Sequence, residues 1–348
     1  MMITSAARFL LRSATNRSSI HPSPNILSAA AFSVVDGPLG GCTQRRCSSH
    51  APGPSPVFPT GAKPVTLQKI QSLHRKKVPI TMLTAHDFPS ASLAAAAGIE
   101  LVLVGDSLAM VSLGMADTSE VTLDDMILHA RAVRRAATQA FTIGDLPMGC
   151  YEVSAEQALT SAIKMIKEGR VQSVKLEGGI EFADTISRIT QAGIPVCGHI
   201  GLTPQRQHAL GGFRVQGKSV LAAEKILADA CAVQDAGAFA IVLECIPPEI
   251  ADIITSKLSI PTIGIGAGNR CSGQVLVQMD MLGYRPRGSF QPKFVKQYGD
   301  VWGHSLAAIE KYRDEVKSRQ YPSEEHGYPV DKEVVEAFRV AADSRKNH

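Results

Sequence analysis

One unit recurs along this chain of 348 residues: an amphipathic helix ends at a glycine, two or three residues pass, and a β-rich apolar run begins. "AAAAGIELVLVG", "IKEGRVQSVKLEG", "TQAGIPVCGH" and "QDAGAFAIVLEC" place Gly98, Gly169, Gly193 and Gly237 where a helix C-terminus favours a left-handed residue. Strands are expected over 80–85, 100–104, 141–144, 172–176, 194–198, 239–243, 260–265 and 275–282. Near-continuous apolar runs mean strands buried on both faces, and most are far enough apart to hold a crossover helix. Eight such units close an α/β fold of the (β/α)8 TIM barrel type, whose usual size of about 250 residues matches the middle of the chain. An open doubly wound sheet is the competing arrangement and would want a phosphate fingerprint. "GIGAGN" at 264–269 does not complete one, because the closing positions after Gly264 and Gly266 are Asn269 and Cys271.

The ends of the chain have a different composition. Residues 1–50 hold five arginines (8, 12, 17, 45 and 46), no lysine and one acid, Asp36, so they carry the whole formal charge of +4. Arg8 and Arg12 can share one helical face opposite Met1, Phe9 and Leu10, and serines are frequent. Such an Arg-rich, acid-poor segment reads as an organellar transit peptide, mitochondrial ahead of plastid, rather than as a secretory signal with an unbroken apolar core. Pro52, Pro54, Pro56 and Pro59 mark residues 51–62 as an extended linker. A single barrel domain is expected over 63–322, followed by a solvated helix and tail over 323–348.

Without its leader the chain has 31 basic and 31 acidic side chains, so no surplus charge is available to displace counterions from a nucleic acid. Seven cysteines include Cys42 and Cys47 in the leader; Cys150, Cys197, Cys231, Cys245 and Cys271 show neither CxxC spacing nor a zinc pattern. They read as reduced thiols of an intracellular compartment. No apolar run reaches the roughly 18 residues of a membrane span. "ASLAAAAGIELVLVG" comes nearest, and Gly98 and Glu100 divide it into a helix and a strand.

In a barrel, the C-terminal strand ends carry the chemistry. Here they read "VGDSL" with Asp106 and Ser107, "GDLP" with Asp145, "KLEGG" with Lys175 and Glu177, "CGHIG" with His199, and "LECIP" with Glu244. Asp106, Asp145 and Glu177 come from three neighbouring strands and would repel one another in one mouth. A divalent cation removes that conflict, and an all-oxygen set suits a hard ion such as Mg²⁺. Lys175, beside the ion, can hold a substrate carboxylate. Burial of Glu244 among Ile241, Val242, Leu243 and Ile246 suits a general base for carbon acids; a fourth metal ligand or a partner for an arginine are the other readings. His199 fits an auxiliary catalytic role and a hydrogen-bonded rim histidine equally well.

"TAHDF", "LVLVGDSLAM", "GDLPMG", "VKLEGG", "CGHIGLTPQ", "GGFRVQGK", "LECIPP", "IPTIGIGAGN" and "YPSEEH" occur in this order over residues 65–325. As an ordered set they resemble the signatures of the ketopantoate hydroxymethyltransferases of pantothenate biosynthesis. The resemblance implies a homo-oligomeric, Mg²⁺-dependent barrel. It would join a one-carbon unit from 5,10-methylenetetrahydrofolate to 3-methyl-2-oxobutanoate, giving 2-dehydropantoate and tetrahydrofolate. It further implies Asp106 and Asp145 as metal ligands, with Glu177 binding directly or through water. Ser107 and Lys175 would bind the keto acid's carboxylate, close to Asp106 and Asp145, and Glu244 would accept the proton. The leader suggests a eukaryotic, plant-like organellar form. A Mg²⁺-dependent 2-oxo-acid lyase of the isocitrate lyase and phosphoenolpyruvate mutase type is the nearest rival, but it would want a reactive cysteine in a mobile loop, and Cys197 falls within a strand. A binding protein on an inactive barrel would have lost its rim acids, and this chain keeps them.

Overall fold

The computed structural model describes residues 63–286 and 288–345. The expected leader, 1–50, and linker, 51–62, lie outside the described residues. Eight parallel strands run β1 Ile80–Thr84, β2 Leu101–Val104, β3 Phe141–Asp145, β4 Ser173–Glu177, β5 Val196–Gly201, β6 Ala240–Glu244, β7 Thr262–Ile265 and β8 Gly273–Leu276. Each pairs with the next and β8 pairs back to β1, closing a barrel. Helices alternate with the strands, among them Phe88–Ala96, Leu123–Ala136, Ala155–Gly169, Ala183–Gln191, Val220–Asp235 and Pro248–Lys257. No helix among the described residues is long and apolar enough to cross a membrane.

Strand alternation sorts the side chains into two apolar layers. Val102, Val104, Val174, Leu176, Ile241 and Leu243 point outward and pack with helix residues such as Met126, Met165, Ile186 and Val233. Leu101, Leu103, Phe141, Ile143, Cys197, Val242 and Ile263 point inward, where Ile70 and Leu73 of the helix Leu67–Arg75 join them. Phe141 and Phe239 meet edge to face with centroids 5.6 Å apart in this inner layer. The N-terminal part of the barrel interior is therefore a packed hydrocarbon plug, as barrels of this kind require. On β4 the same alternation sends Val174 and Leu176 outward and Lys175 and Glu177 inward, above that plug.

Two local expectations need correcting. Gly98, Gly193 and Gly237 do adopt the left-handed conformation, with φ of 74°, 86° and 91°. At the end of Ala155–Gly169, however, the left-handed residue is Arg170, with φ 64°. Gly169 serves close packing instead, since a Cβ there would lie 2.9 Å from Met165 Sδ and 3.2 Å from Ala130 Cβ on the neighbouring helix. The last strand is also earlier and shorter than the expected 275–282. β1 pairs with residues 273–276, and Gln278 then turns inward, donating from its backbone N–H to Thr84 Oγ1 and from Nε2 to Ser90 O, both at 3.0 Å. Those bonds start the helix Gln278–Met281, so the apolar run continues past the strand without extending it.

Beyond the barrel, the helices Val301–Lys317 and Lys332–Ser344 contain no buried residue.

Candidate active site

Parallel register decides which charges meet. Asp145 stands opposite Lys175 across β3 and β4, and Glu177 opposite His199 across β4 and β5. Lys175 Nζ lies 3.1 Å from Asp145 Oδ1 and 3.4 Å from His199 Nδ1. His199 bridges two acids, with Nδ1 3.2 Å from Glu177 Oε1 and Nε2 3.1 Å from Glu244 Oε2. Asp106 follows β2, and its backbone N–H donates to Asp145 Oδ2 at 3.0 Å. Lys175 and Glu177, neighbours on one strand face, thus find their partners on the strands to either side rather than in each other.

Burial sets the electrostatics of this cluster. Removal from water raises the pKa of Asp106, Lys175 opposes the rise, and Glu177 adds to it. Burial likewise pushes the Asp145 carboxyl up to about 6, with Lys175 pulling down and Asp106 pushing up. For Lys175 burial disfavours the ammonium, but Asp145, Asp106 and Glu177 outweigh it and the pKa is raised. His199 follows the same pattern: burial and Lys175 act against its charge, while Glu177 and Glu244 together lift it to about 9. The two carboxylates thus favour the charged imidazolium, with one ring nitrogen facing each of them.

Each residue singled out in the sequence has a definite place. Asp106, Asp145, Lys175, Glu177 and His199 are all buried, and Glu244 closes the row with its side chain 14% exposed. Its partner is an imidazole and not an arginine. Ser107 precedes the short helix Leu108–Val111 and makes no side-chain cap hydrogen bond, so its hydroxyl is not committed to that turn. Cys197 is held within β5, where burial pushes its thiol up to about 12; such a thiol is not a nucleophile. Among the described residues no group of three or more His, Cys, Asp or Glu is arranged to hold a metal ion. The acids expected to share one are engaged with Lys175, His199 and Gln205.

Gln205 and Tyr151 belong to the site and carried no signal that charge-based reading detects. Gln205 Nε2 donates to Asp106 Oδ2 at 2.8 Å, and its backbone N–H donates to Glu177 Oε2 at 3.1 Å. Tyr151 donates its hydroxyl to Gln205 Oε1 at 2.5 Å. Both side chains are neutral; only the position of Gln205 a few residues past His199, in "GHIGLTPQ", places it near the mouth.

The family model for ketopantoate hydroxymethyltransferase matches residues 64–324, which span the barrel and every residue of this cluster. The chain belongs to the ketopantoate hydroxymethyltransferase family. A 3-methyl-2-oxobutanoate hydroxymethyltransferase of Emericella nidulans is 66% identical over 299 residues, covering 86% of this chain and 85% of that protein. Bacterial proteins of the same name, from Oleidesulfovibrio alaskensis and Moorella thermoacetica, are 53% and 52% identical and cover 73% and 76% of this chain, and 88% and 97% of their own. Among solved structures, a phosphoenolpyruvate phosphomutase from Streptomyces platensis subsp. rosaceus superposes with a TM-score of 0.51 at 13% identity, covering 81% of this chain and 97% of that one. A phosphonopyruvate hydrolase complexed with oxalate and Mg²⁺ gives 0.50 at 14% identity, covering 81% and 96%. These structures share this chain's barrel, and the likeness extends to the fold alone.

Proposed function

We propose that this member of the family transfers a hydroxymethyl group from 5,10-methylenetetrahydrofolate to 3-methyl-2-oxobutanoate, forming 2-dehydropantoate and tetrahydrofolate with consumption of one water. The observation that carries the reading is the buried charge cluster at the barrel mouth, within a chain whose matched region and named relatives are those of this activity. Lys175 offers its ammonium, and Ser107 its hydroxyl, to the keto acid's carboxylate. Glu244 stands at the other end of the row as the acceptor of the C3 proton: the C–H bond breaks, the proton passes to the carboxylate, and the electron pair remains on the substrate as an enolate. The methylene carbon exchanges its two bonds to folate nitrogen for one to C3 and one to the oxygen of the water consumed, and the proton taken up by Glu244 together with the two of the water supply the product hydroxyl and the two N–H groups of tetrahydrofolate. The His199 imidazolium, 3.1 Å from Glu244 and 3.2 Å from Glu177, orients both carboxylates.

A Mg²⁺ ion fits the chemistry of this donor set. Four carboxylates, Asp106, Asp145, Glu177 and Glu244, face only two basic side chains, Lys175 and His199, and burial with mutual repulsion raises the pKa of Asp106 and Asp145, a conflict that a divalent cation would relieve. Asp145 Oδ1 and Glu177 Oε1 are buried, touch only charged nitrogens, and lack a directed hydrogen bond. Asp106 and Asp145 would hold the ion, Glu177 would reach it directly or through water, and the open positions would take water and substrate oxygens. When bound, the ion acts as a Lewis acid on the 2-oxo group, a stabilisation of roughly several kcal/mol for the enolate. NMR of purified protein with both substrates tests the whole reading: 2-dehydropantoate forms with Mg²⁺ and not after chelation. Substrates left unchanged by folded, Mg²⁺-supplied protein would refute it.

Mitochondrial import is proposed on the composition of residues 1–50, which a fusion of that segment to a fluorescent protein would test by its location in cells. A homo-oligomer is supported by the helix Val301–Lys317. Trp302, Leu306, Ile309, Tyr312 and Val316 recur at intervals of three or four, the spacing of a core-facing stripe, yet all are exposed in the single chain.

A further inference from the structure

Gln205 sits in the turn Pro204–Arg206 after β5, 3% exposed, and spends every hydrogen-bonding group of its side chain inside the mouth. Its Nε2 donates to Asp106 Oδ2 at 2.8 Å and to Leu146 O at 3.1 Å, and its Oε1 accepts from Tyr151 at 2.5 Å. An amide can present either its NH₂ or its oxygen to a neighbour, and only the NH₂ suits a carboxylate. Asp106 Oδ2 and Leu146 O can only accept, so both draw the NH₂ to their side, and the amide oxygen is left to the Tyr151 hydroxyl, which donates to it. Tyr151 is itself wedged edge to face against Phe182, with centroids 5.2 Å apart, and the Arg206 guanidinium lies 4.8 Å from the other ring's centroid.

Charge explains why an amide occupies this position. Asp145 already has Lys175 within 3.1 Å. A second fixed cation beside Asp106 would cancel the negative charge on which a divalent ion depends. A neutral donor fixes one oxygen, Oδ2, and leaves the net charge of the pair intact. Through its backbone N–H, 3.1 Å from Glu177 Oε2, the same residue also fixes the third acid.

We infer that Gln205 is a positioning residue that presents Asp106 to a divalent cation, with Tyr151 anchoring the amide through its oxygen. This rests on the metal reading of the proposed function. Partners that orient metal-binding side chains typically contribute 10- to 100-fold in metal affinity. Titration of the full chain with Mn²⁺, followed by the loss of the free-ion electron paramagnetic resonance signal, gives the dissociation constant without recourse to turnover. Gln205→Met keeps the length and removes both donors and the acceptor, and is expected to weaken Mn²⁺ binding by about 10-fold or more. Tyr151→Phe is expected to weaken it less, and to have no further effect in the Gln205→Met background, because Tyr151 acts through the amide. A parent that binds Mn²⁺ together with a folded Gln205→Met protein that binds it equally tightly would overturn the inference while leaving the metal reading standing. Absence of Mn²⁺ binding by the parent would overturn both. Should Gln205→Met fail to fold by circular dichroism, Tyr151→Phe decides: unchanged affinity overturns the inference, and a several-fold loss supports it.

Discussion

Replacing Glu244 by glutamine separates proton removal from binding. Glutamine preserves the volume and an acceptor oxygen, so His199 Nε2, 3.1 Å away, keeps a partner, and Glu177 still faces Nδ1 at 3.2 Å. The pairs that involve the clamp and the proposed metal ligands, Lys175 with Asp145 and Gln205 with Asp106, do not include Glu244. Affinities for keto acid and for Mn²⁺ should therefore stay within about threefold, well under the tenfold that corresponds to 1.4 kcal/mol. What disappears is the ability to take a proton from carbon. A positioned general base contributes roughly 10²- to 10⁴-fold, so exchange of the C3 hydrogen should fall by about 10³, or about 4 kcal/mol in the barrier. Exchange is followed by proton NMR of 3-methyl-2-oxobutanoate in D₂O, without folate, so that only deprotonation is observed. Exchange at the parental rate in Glu244→Gln would remove this residue from the base role, whatever happens to turnover.

Three further outcomes follow from the same geometry. Lys175→Met should weaken keto-acid binding by about 10- to 100-fold, the loss of one hydrogen bond to a charged group, measured by isothermal titration; an unchanged dissociation constant would show that the ammonium serves Asp145 alone. His199, raised from 6.5 to about 9, contributes stability that is fully present below about pH 6.5 and is lost as pH rises through about 9. The unfolding midpoint of metal-free protein should fall over that window, and His199→Gln should flatten the slope; parallel slopes would contradict the charge assigned to the imidazole. Ile309→Lys, at an exposed site on Val301–Lys317, should leave the single chain folded but shift its mass by light scattering toward the monomer, and an unaltered assembly would exclude this stripe as an interface.

The charged residues were legible in the sequence because barrel geometry gives strand ends a fixed meaning. Asp145, Glu177 and Glu244 each close a strand, and the inward or outward sense of β4 follows from Val174 and Leu176 alone. The pairing was not legible, since it depends on register between strands: Asp145 against Lys175 and Glu177 against His199 emerge only once the barrel closes. Hydrophobicity continues past Leu276 and so points to a longer β8, whereas the strand stops where Gln278 bonds to Thr84 and Ser90, contacts about 190 residues away in sequence. For a related reason glycine preference points to Gly169 and not to Arg170 as the left-handed residue, since the approach of Met165 and Ala130 is invisible in one helix's pattern. Gln205 and Tyr151 give no such signal, because neutral side chains that orient an acid carry no charge of their own.

The proposed reaction depends on a divalent ion held between Asp106 and Asp145 at the mouth. An anomalous difference map from crystals of the protein grown with Mn²⁺ and 3-methyl-2-oxobutanoate tests this directly. The prediction is a single strong peak within coordination distance of carboxylate oxygens from both Asp106 and Asp145, with keto-acid density beside Lys175. A map with keto acid bound in the mouth and no peak at those two aspartates would contradict it.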